Sequence, residues 1–177
     1  MTALRVTPPA HQCRVPVLWW LGACLAWPVF AVDEATAYAA RVTRVFDGDT
    51  VWVKPLQGGR YRKLRIDGID APEICQSGGV ASREALARRV LNQVVEVSVH
   101  RHDDYGRGLA RLAHQGDDIA AWMVTQGQAW SYRWRRSLGP FADQEAAARA
   151  RRQGLFGEAS PELPRDFRRR HGPCQLP

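Results

Sequence analysis

Residues 41–54 read Arg41-Val42-Thr43-Arg44-Val45-Phe46-Asp47-Gly48-Asp49-Thr50-Val51-Trp52-Val53-Lys54. Two β-rich runs, Arg41 to Phe46 and Thr50 to Lys54, flank a tight Asp-Gly turn, the pattern of a hairpin. Pro55 to Gly59 reads as a second turn and Tyr61 to Ile66 as a third strand, so the region is a β-meander. Ser77-Gly78-Gly79 breaks the alternation. Beyond it Ala81, Ala85, Leu86 and Val90 recur at helical spacing, which predicts a helix over 80–92. Val95, Val97 and Val99 then share one face of a strand over 94–99. A turn at Asp103-Asp104-Tyr105-Gly106 leads into a return strand over 108–114.

Asp117 or Asp118 can cap a helix over 119–126, which Gly127 ends. Pro140 suits the first turn of a last helix running to Gln153 and closed by Gly154. The order is β-β-β-α-β-β-α-α. It predicts a mainly β protein with added α (α+β), a five-stranded oligonucleotide-binding (OB) Greek-key barrel with three helices. The barrel domain is expected over 40–158, after a linker at 32–39. The tail over 159–177 is rich in Arg and Pro and lacks periodicity; it is expected to be an ordered strap only if a disulfide holds it. Trp122 and Trp130 read as core packing.

A length of 177 residues suits one domain with a real core and excludes two of comfortable size. No internal repeat or low-complexity block is present. The formal net charge is +7, and Lys54 and Lys63 are the only lysines among 25 basic residues. Arginine-rich surfaces attract polyanions and grip phosphate through paired donors. Charge alone is equally compatible with a basic protein that has no nucleic-acid role. The runs Arg133, Arg135 and Arg136, then Arg149, Arg151 and Arg152, then Arg168 to Arg170 can each be a solvated face, or together an electrostatic path for a long polyanion.

The N-terminus has the character of a leader. Arg5, His11 and Arg14 precede an uncharged apolar run from Val15 to Trp27, and Val29-Phe30-Ala31 follows with small residues where a signal peptidase reads. Residues 1–31 are expected to be a signal peptide cleaved after Ala31, giving a periplasmic or secreted protein. A retained membrane anchor, which needs ~20 apolar residues, is the second option. A lipoprotein box at Leu21-Gly22-Ala23-Cys24 is the third. Cleavage leaves Cys75 and Cys174, and an even pair in an oxidising compartment tends to bond. A Cys75–Cys174 disulfide is therefore predicted, tying the tail to the loop beside the candidate site; two free thiols or an intermolecular bridge are the alternatives.

Three segments carry the chemistry: Asp47-Gly48-Asp49-Thr50, Arg65 to Glu73 (RIDGIDAPE), and Tyr105-Gly106-Arg107. They bring acidic side chains and two arginines, the groups needed to hold a hard metal ion and a phosphodiester together. His100 and His102 sit near the last segment, but no third ligand at a recognised spacing supports a zinc reading. On the strength of Phe46-Asp47-Gly48-Asp49-Thr50-Val51, Leu64-Arg65-Ile66-Asp67-Gly68-Ile69-Asp70-Ala71-Pro72-Glu73 and Asp104-Tyr105-Gly106-Arg107-Gly108-Leu109-Ala110, the stretch from Val42 to Phe156 resembles the thermonuclease (staphylococcal or micrococcal nuclease) family. Looser matches are Gln126-Gly127-Gln128-Ala129-Trp130 and Gly154-Leu155-Phe156.

The resemblance implies a five-stranded barrel with three helices, one Ca2+ at the active site, and cleavage of DNA and RNA to 3′-phosphate ends. It implies Asp49 and Asp70 as side-chain metal ligands and Ala71 as a backbone-carbonyl ligand. The family's best-known member has Thr at the Ala71 position, a change that a backbone ligand tolerates. Glu73 would hold and deprotonate the attacking water. Arg65 and Arg107 would grip the phosphate and stabilise its transition state. Tyr105 would bond a phosphate, and Tyr132, Arg133 and Trp134 would lie near a bound base. The loop from Ile74 to Gly79 is shorter than in the best-known member and lacks its lysines. DNA and RNA are the expected partners; no protein partner is predicted, and the protein is expected to be a monomer. Two alternatives come from other classes. One is a non-catalytic nucleic-acid-binding OB-fold module, and the other is an envelope protein whose fold Ca2+ stabilises.

Overall fold

The structure is a computed structural model that describes residues 37–172 and Cys174. The chain divides into Met1–Val32 and Asp33–Pro177, and all the described residues belong to the second unit. The leader, its cleavage point and the anchor and lipoprotein alternatives lie outside the described residues.

The elements are β1 (Tyr38–Val45), β2 (Thr50–Pro55), β3 (Arg62–Ile66), β4 (Ile69–Asp70), α1 (Gly79–Val90), β5 (Val94–His102), β6 (Gly108–His114), β7 (Asp117–Asp118), α2 (Ile119–Thr125), β8 (Trp130–Ser131), α3 (Ala142–Ala150) and α4 (Pro164–His171), with a single 3-10 turn at Gly154–Gly157. The five long strands order as β3-β2-β1-β5-β6, and a parallel β3–β6 pairing closes them into a barrel. Closure removes the sheet edges and leaves one face of every strand inside. Ala40 and Val42, Val51 and Val53, Leu64 and Ile66, Val95 and Val97, and Ala110 and Leu112 point inward and are all buried. Their period of two is the alternation read from the sequence. Each large aliphatic side chain so buried stabilises the fold by about 1.5–3 kcal/mol. Register shifts at Val42/Arg44 in β1 and Val99/Arg101 in β5 are bulges that bend the strands around the barrel.

Leu86 and Val90 of α1, and Ile119, Ala120, Met123 and Val124 of α2, cover the barrel and join the same core. Asp118 rather than Asp117 caps α2, accepting from the Ala121 amide at 3.0 Å. Asp117 instead pairs with Arg89 at 2.5 Å. A second, smaller cluster of Trp130, Ala148, Leu155 and Phe156, with Leu163 against it, fastens α3 and the segment leading into α4. Trp130 is a core residue, and Trp122 packs half-buried on the main core.

The structure departs from expectation at several boundaries. β1 begins at Tyr38, inside the segment expected as linker, because Tyr38 and Ala39 pair with Val97 and Glu96 of β5. α3 begins at Ala142, not Pro140: Phe141 is its cap residue, with φ −115° and ψ 31° outside the helical region, and its amide is held by Ser131 Oγ at 3.0 Å. Among the described residues the α-helices are four, not three: the tail forms α4, with Pro164 in its first turn and Leu163 seated in the small core. Its register depends on tertiary contacts, which explains why no apolar periodicity announced it. The tail is also joined to the barrel by a Cys75–Cys174 disulfide, S–S 2.03 Å.

Candidate active site

The Asp47-Gly48-Asp49 segment closes the β1–β2 hairpin, with the Phe46 amide on the Thr50 carbonyl at 2.9 Å and the Asp49 amide on Asp47 Oδ1 at 2.9 Å. Glycine is required at its centre by close approach. A Cβ on Gly48 would lie 1.9 Å from Ser82 Oγ and 2.7 Å from the Ala71 Cβ. The turn is thus pressed against α1 and against the segment after β4, which brings Asp49 to Ala71. The Ala71 amide donates to Asp49 Oδ2 at 3.1 Å, and the Thr50 hydroxyl donates to Asp49 Oδ1 at 2.9 Å.

Asp70 is placed by a two-residue strand. β4 pairs antiparallel with β8, setting Ile69 opposite Ser131 and Asp70 opposite Trp130. Arg65, from β3, reaches between the two acidic residues. Its Nη1 bonds Asp49 Oδ2, and its Nη2 donates to Asp70 Oδ1 and to the Ile69 carbonyl, both at 3.1 Å. Glu73 follows Pro72, which fixes the local backbone. Its amide donates to Gln76 Oε1 at 3.2 Å. The loop beyond it folds tightly, since a Cβ on Gly79 would lie 1.9 Å from the Glu73 carbonyl oxygen.

Arg107 leaves the β5–β6 turn with its direction set by Asp103. Arg107 Nε donates to Asp103 Oδ2 at 2.7 Å, while Asp103 Oδ1 accepts the amides of Tyr105 and Arg107 at 3.0 and 2.9 Å. An Asp at the head of a turn bonding amides further on is the ordinary chemistry of such loops. The sequence carries that turn signal at Asp103, but only the folded turn brings its carboxylate to the Arg107 guanidinium.

These elements surround one cleft of about 770 Å³, lined among others by Asp47, Asp49, Arg65, Glu73, Tyr105 and Arg107. Asp70 lies behind Arg65 and faces a neighbouring cavity of about 360 Å³. Tyr132 lines both, whereas Arg133 and Trp134 line only the second. Arg133 is bonded to the buried carboxylate of Glu145 at 2.5 Å, and Arg149 joins the same carboxylate at 2.8 Å. Tyr105 is 85% exposed at the rim. A further arginine, from the run Arg168 to Arg170, enters the cleft: Arg168 of α4 bonds Glu73 Oε1 at 2.7 Å and Asp70 Oδ2 at 3.3 Å.

The electrostatics follow from this crowding. Burial pushes the Asp47 carboxyl up to about 7, with the charge of Asp49 adding to the effect. Burial acts on Asp49 in the same sense, but the Arg65 guanidinium, the Ala71 amide and the Thr50 hydroxyl outweigh it and hold Asp49 below the usual carboxylate range. Asp70 is raised by burial and by Asp49, against the pull of Arg65 and Arg168. Burial raises the Asp103 carboxyl, but the amide and guanidinium of Arg107 and the Tyr105 amide together outweigh it and hold Asp103 below the usual carboxylate range. Among the described residues, no three His, Cys, Asp or Glu side chains form a ready-made metal cage. The donors that do converge are carboxylate oxygens, Asp49 and Asp70 both on Arg65, with Asp47 beside Asp49 and raised by its charge. Two carboxylates crowded on one guanidinium are hard oxygen donors, the kind that fits a hard dication whose remaining ligands are carbonyl, water or substrate.

The sequence model of the staphylococcal nuclease homologue family matches residues 63–158. An uncharacterized endonuclease of Escherichia coli is 32% identical over 146 residues, covering 82% of this chain and 92% of the relative. A micrococcal nuclease of Shigella flexneri is 34% identical over 152 residues, covering 80% of this chain and 86% of the relative. Protein ParB of Escherichia coli is 35% identical over 158 residues, covering 83% and 88%. With a barrel of this topology, and a match of this extent, the chain belongs to the staphylococcal nuclease homologue family.

Proposed function

We propose that this protein is an exported, Ca2+-dependent nuclease that hydrolyses phosphodiester bonds of DNA and RNA, with single strands preferred. One observation carries the reading: Asp49, Arg65, Glu73 and Arg107, from three separate segments, line one cleft, with Asp70 bonded to Arg65 at its back. Family membership and relatives named as nucleases support the same reaction class. The leader supports export, and with it an oxidising compartment for Cys75 and Cys174.

Asp49 and Asp70, with the Ala71 carbonyl, would hold the cation. When bound, Ca2+ would neutralise charge on the phosphate oxygens and replace part of the work Arg65 does for the two carboxylates. The guanidinium groups of Arg65 and Arg107 grip the non-bridging phosphate oxygens. Arg107 is aimed by Asp103 through Nε, which leaves its Nη donors for phosphate. Glu73 takes a proton from water as the water oxygen bonds to phosphorus. The bond from phosphorus to the 5′ oxygen breaks, and the leaving oxygen takes a proton from solvent. The products are a 3′-phosphate and a 5′-hydroxyl, a polarity supported by the family resemblance. Arginine stays charged throughout and so serves by electrostatic stabilisation rather than as the acid. A narrow cleft reaches a backbone whose bases are splayed apart, hence the preference for single strands. Tyr132 lines both cavities and Trp134 the second, which supports stacking of a base there.

The test is cleavage of denatured DNA by the purified protein with Ca2+ and with chelator. Glu73→Gln is expected to lose about 10²–10⁴-fold, and Arg107→Ala about 10²–10³-fold. A wild type that binds but does not cut in Ca2+ would favour the binding-module reading, and an Arg107→Ala variant of undiminished rate would remove the assigned mechanism.

A further inference from the structure

The arginines of α4 do not behave alike. Arg170 pairs with Glu162, and Arg169 with Asp166 at 3.2 Å; both are on the solvent side. Arg168 alone turns into the cleft. Its Nη1 donates to Glu73 Oε1 at 2.7 Å, and Nη1 and Nη2 lie 3.4 Å from Asp70 Oδ1. Its side chain is 39% exposed, against 78% for Arg169.

The position of Arg168 is built from both sides. Before it, Leu163 seats in the small core, and Gln76 Nε2 donates to the Glu162 carbonyl at 2.6 Å. After it, Cys174 is bonded to Cys75, whose amide donates to the Cys174 sulfur at 3.1 Å. Both anchors fall in the loop that carries Glu73. Gln76 also accepts the Glu73 amide, so one side chain ties the backbone of Glu73 to the strap that delivers Arg168 to its carboxylate. A glutamate on a surface loop has several rotamers, and a weak base depends on being in the reactive one.

We propose that Arg168 is a positioning residue for the hydrolytic reaction, holding Glu73 by Oε1 so that Oε2 is presented to the attacking water, and that the Cys75–Cys174 disulfide keeps Arg168 in that place. The inference rests on the nuclease reading and on Glu73 as its base. It gives the tail a part in the chemistry although no tail residue need touch the substrate.

The test uses the oxidised full chain on denatured DNA at saturating Ca2+, with thermal melts confirming that each variant is folded. Arg168→Ala is expected to lower kcat by about 10–100-fold. KM, and the metal-free affinity for a non-cleavable single-stranded oligonucleotide, should stay within about threefold, because the role is exerted through Glu73. Arg168→Lys should recover part of the rate. In a Glu73→Gln background Arg168→Ala should cost less than about threefold more, since two residues acting as a unit are not additive. Cys75→Ser/Cys174→Ser should lower kcat in the same sense and by less. The proposal is overturned if Arg168→Ala cuts within twofold of wild type, or faster, as removal of a plug would. It is equally overturned if the loss lies in KM and oligonucleotide affinity, which would make Arg168 a phosphate contact, or if the losses at Glu73 and Arg168 are fully additive. A wild type that does not cut sinks the nuclease reading and this one with it. A wild type that cuts beside an equally active Arg168→Ala sinks this one alone.

Discussion

At the scale of the residue, the cleft is governed by carboxylates packed closer than their charges favour. Asp47 shows it most plainly, since it is largely buried, next to Asp49, and pushed up to about 7 from 3.8. In the metal-free protein the native state therefore holds this proton more tightly than the unfolded chain. The stability it contributes is fully present below about pH 3.8 and is lost as pH rises through about 7. Asp47→Asn should accordingly melt higher than wild type in chelator at about pH 8, with the gap closing as pH falls towards about 4. Thermal melts across that range check it, and a gap of constant size would show that Asp47 is not the source. Asp47 lies in the Asp-Gly turn of the hairpin, and nothing in the local sequence distinguishes it from Asp49. The aspartates at 47 and 49 differ only in what surrounds them, and those surroundings come from β3, β4 and α1.

At the scale of the element, short pieces of backbone do the positioning. The strand alternation of β1, β2, β3, β5 and β6 was readable because neighbours two apart along the chain share a face. The two-residue strands β4 and β8 were not, because nothing in Ile69-Asp70 or Trp130-Ser131 forms a strand without the other. Yet this pairing sets the place of Asp70. The loop after Glu73 depends in turn on Gly79, where a side chain would collide with the Glu73 carbonyl. Gly79→Ala is expected to destabilise the protein by about 1–3 kcal/mol, with the backbone of Glu73 forced to move. Denaturant unfolding and residual activity should therefore fall together; a variant of normal stability and rate would mean that the loop relaxes freely. The same scale accounts for α4. Proline at its first turn is a sound start signal, but eight residues rich in arginine form a stable helix only when docked. The disulfide closes a loop spanning 99 residues. Its reduction should lower stability by about 2–4 kcal/mol, read as a drop in Tm on adding a reductant. An unchanged Tm would indicate that the tail docks without it.

At the scale of the whole molecule, a basic protein surrounds an acidic site floor. Lys63, Arg65, Arg101, Arg107 and Arg168 ring the cleft, while Asp47 and Asp49 lie within it. The outer arginine runs turn out to be partly spent on the fold: Arg133 and Arg149 neutralise Glu145, and Arg169 and Arg170 pair along the tail. Arg135 and Arg136 remain on the surface. Affinity for single-stranded DNA in chelator should still fall as salt rises, with a log–log slope of about −0.7 for each phosphate neutralised. Neutralisation of the one phosphate gripped by Arg65 and Arg107 would give about −0.7, and a steeper slope would show that the outer surface takes part. Fluorescence anisotropy at several salt concentrations measures it, and a flat response would dismiss the basic surface as a binding path.

Strand identity, the Asp-Gly turn and the types of residue in the three motifs were legible from the chain order because they rest on forces between near neighbours: pleat periodicity, turn chemistry and the charge of particular side chains. Closure of the barrel through β3 and β6, the pairing that sets Asp70, and the meeting of Arg168 with Glu73 were decided by folding. Each of those joins segments far apart along the chain, 95 residues in the last case, and no local rule ranks one arginine of a basic run above its neighbours until the tail is docked.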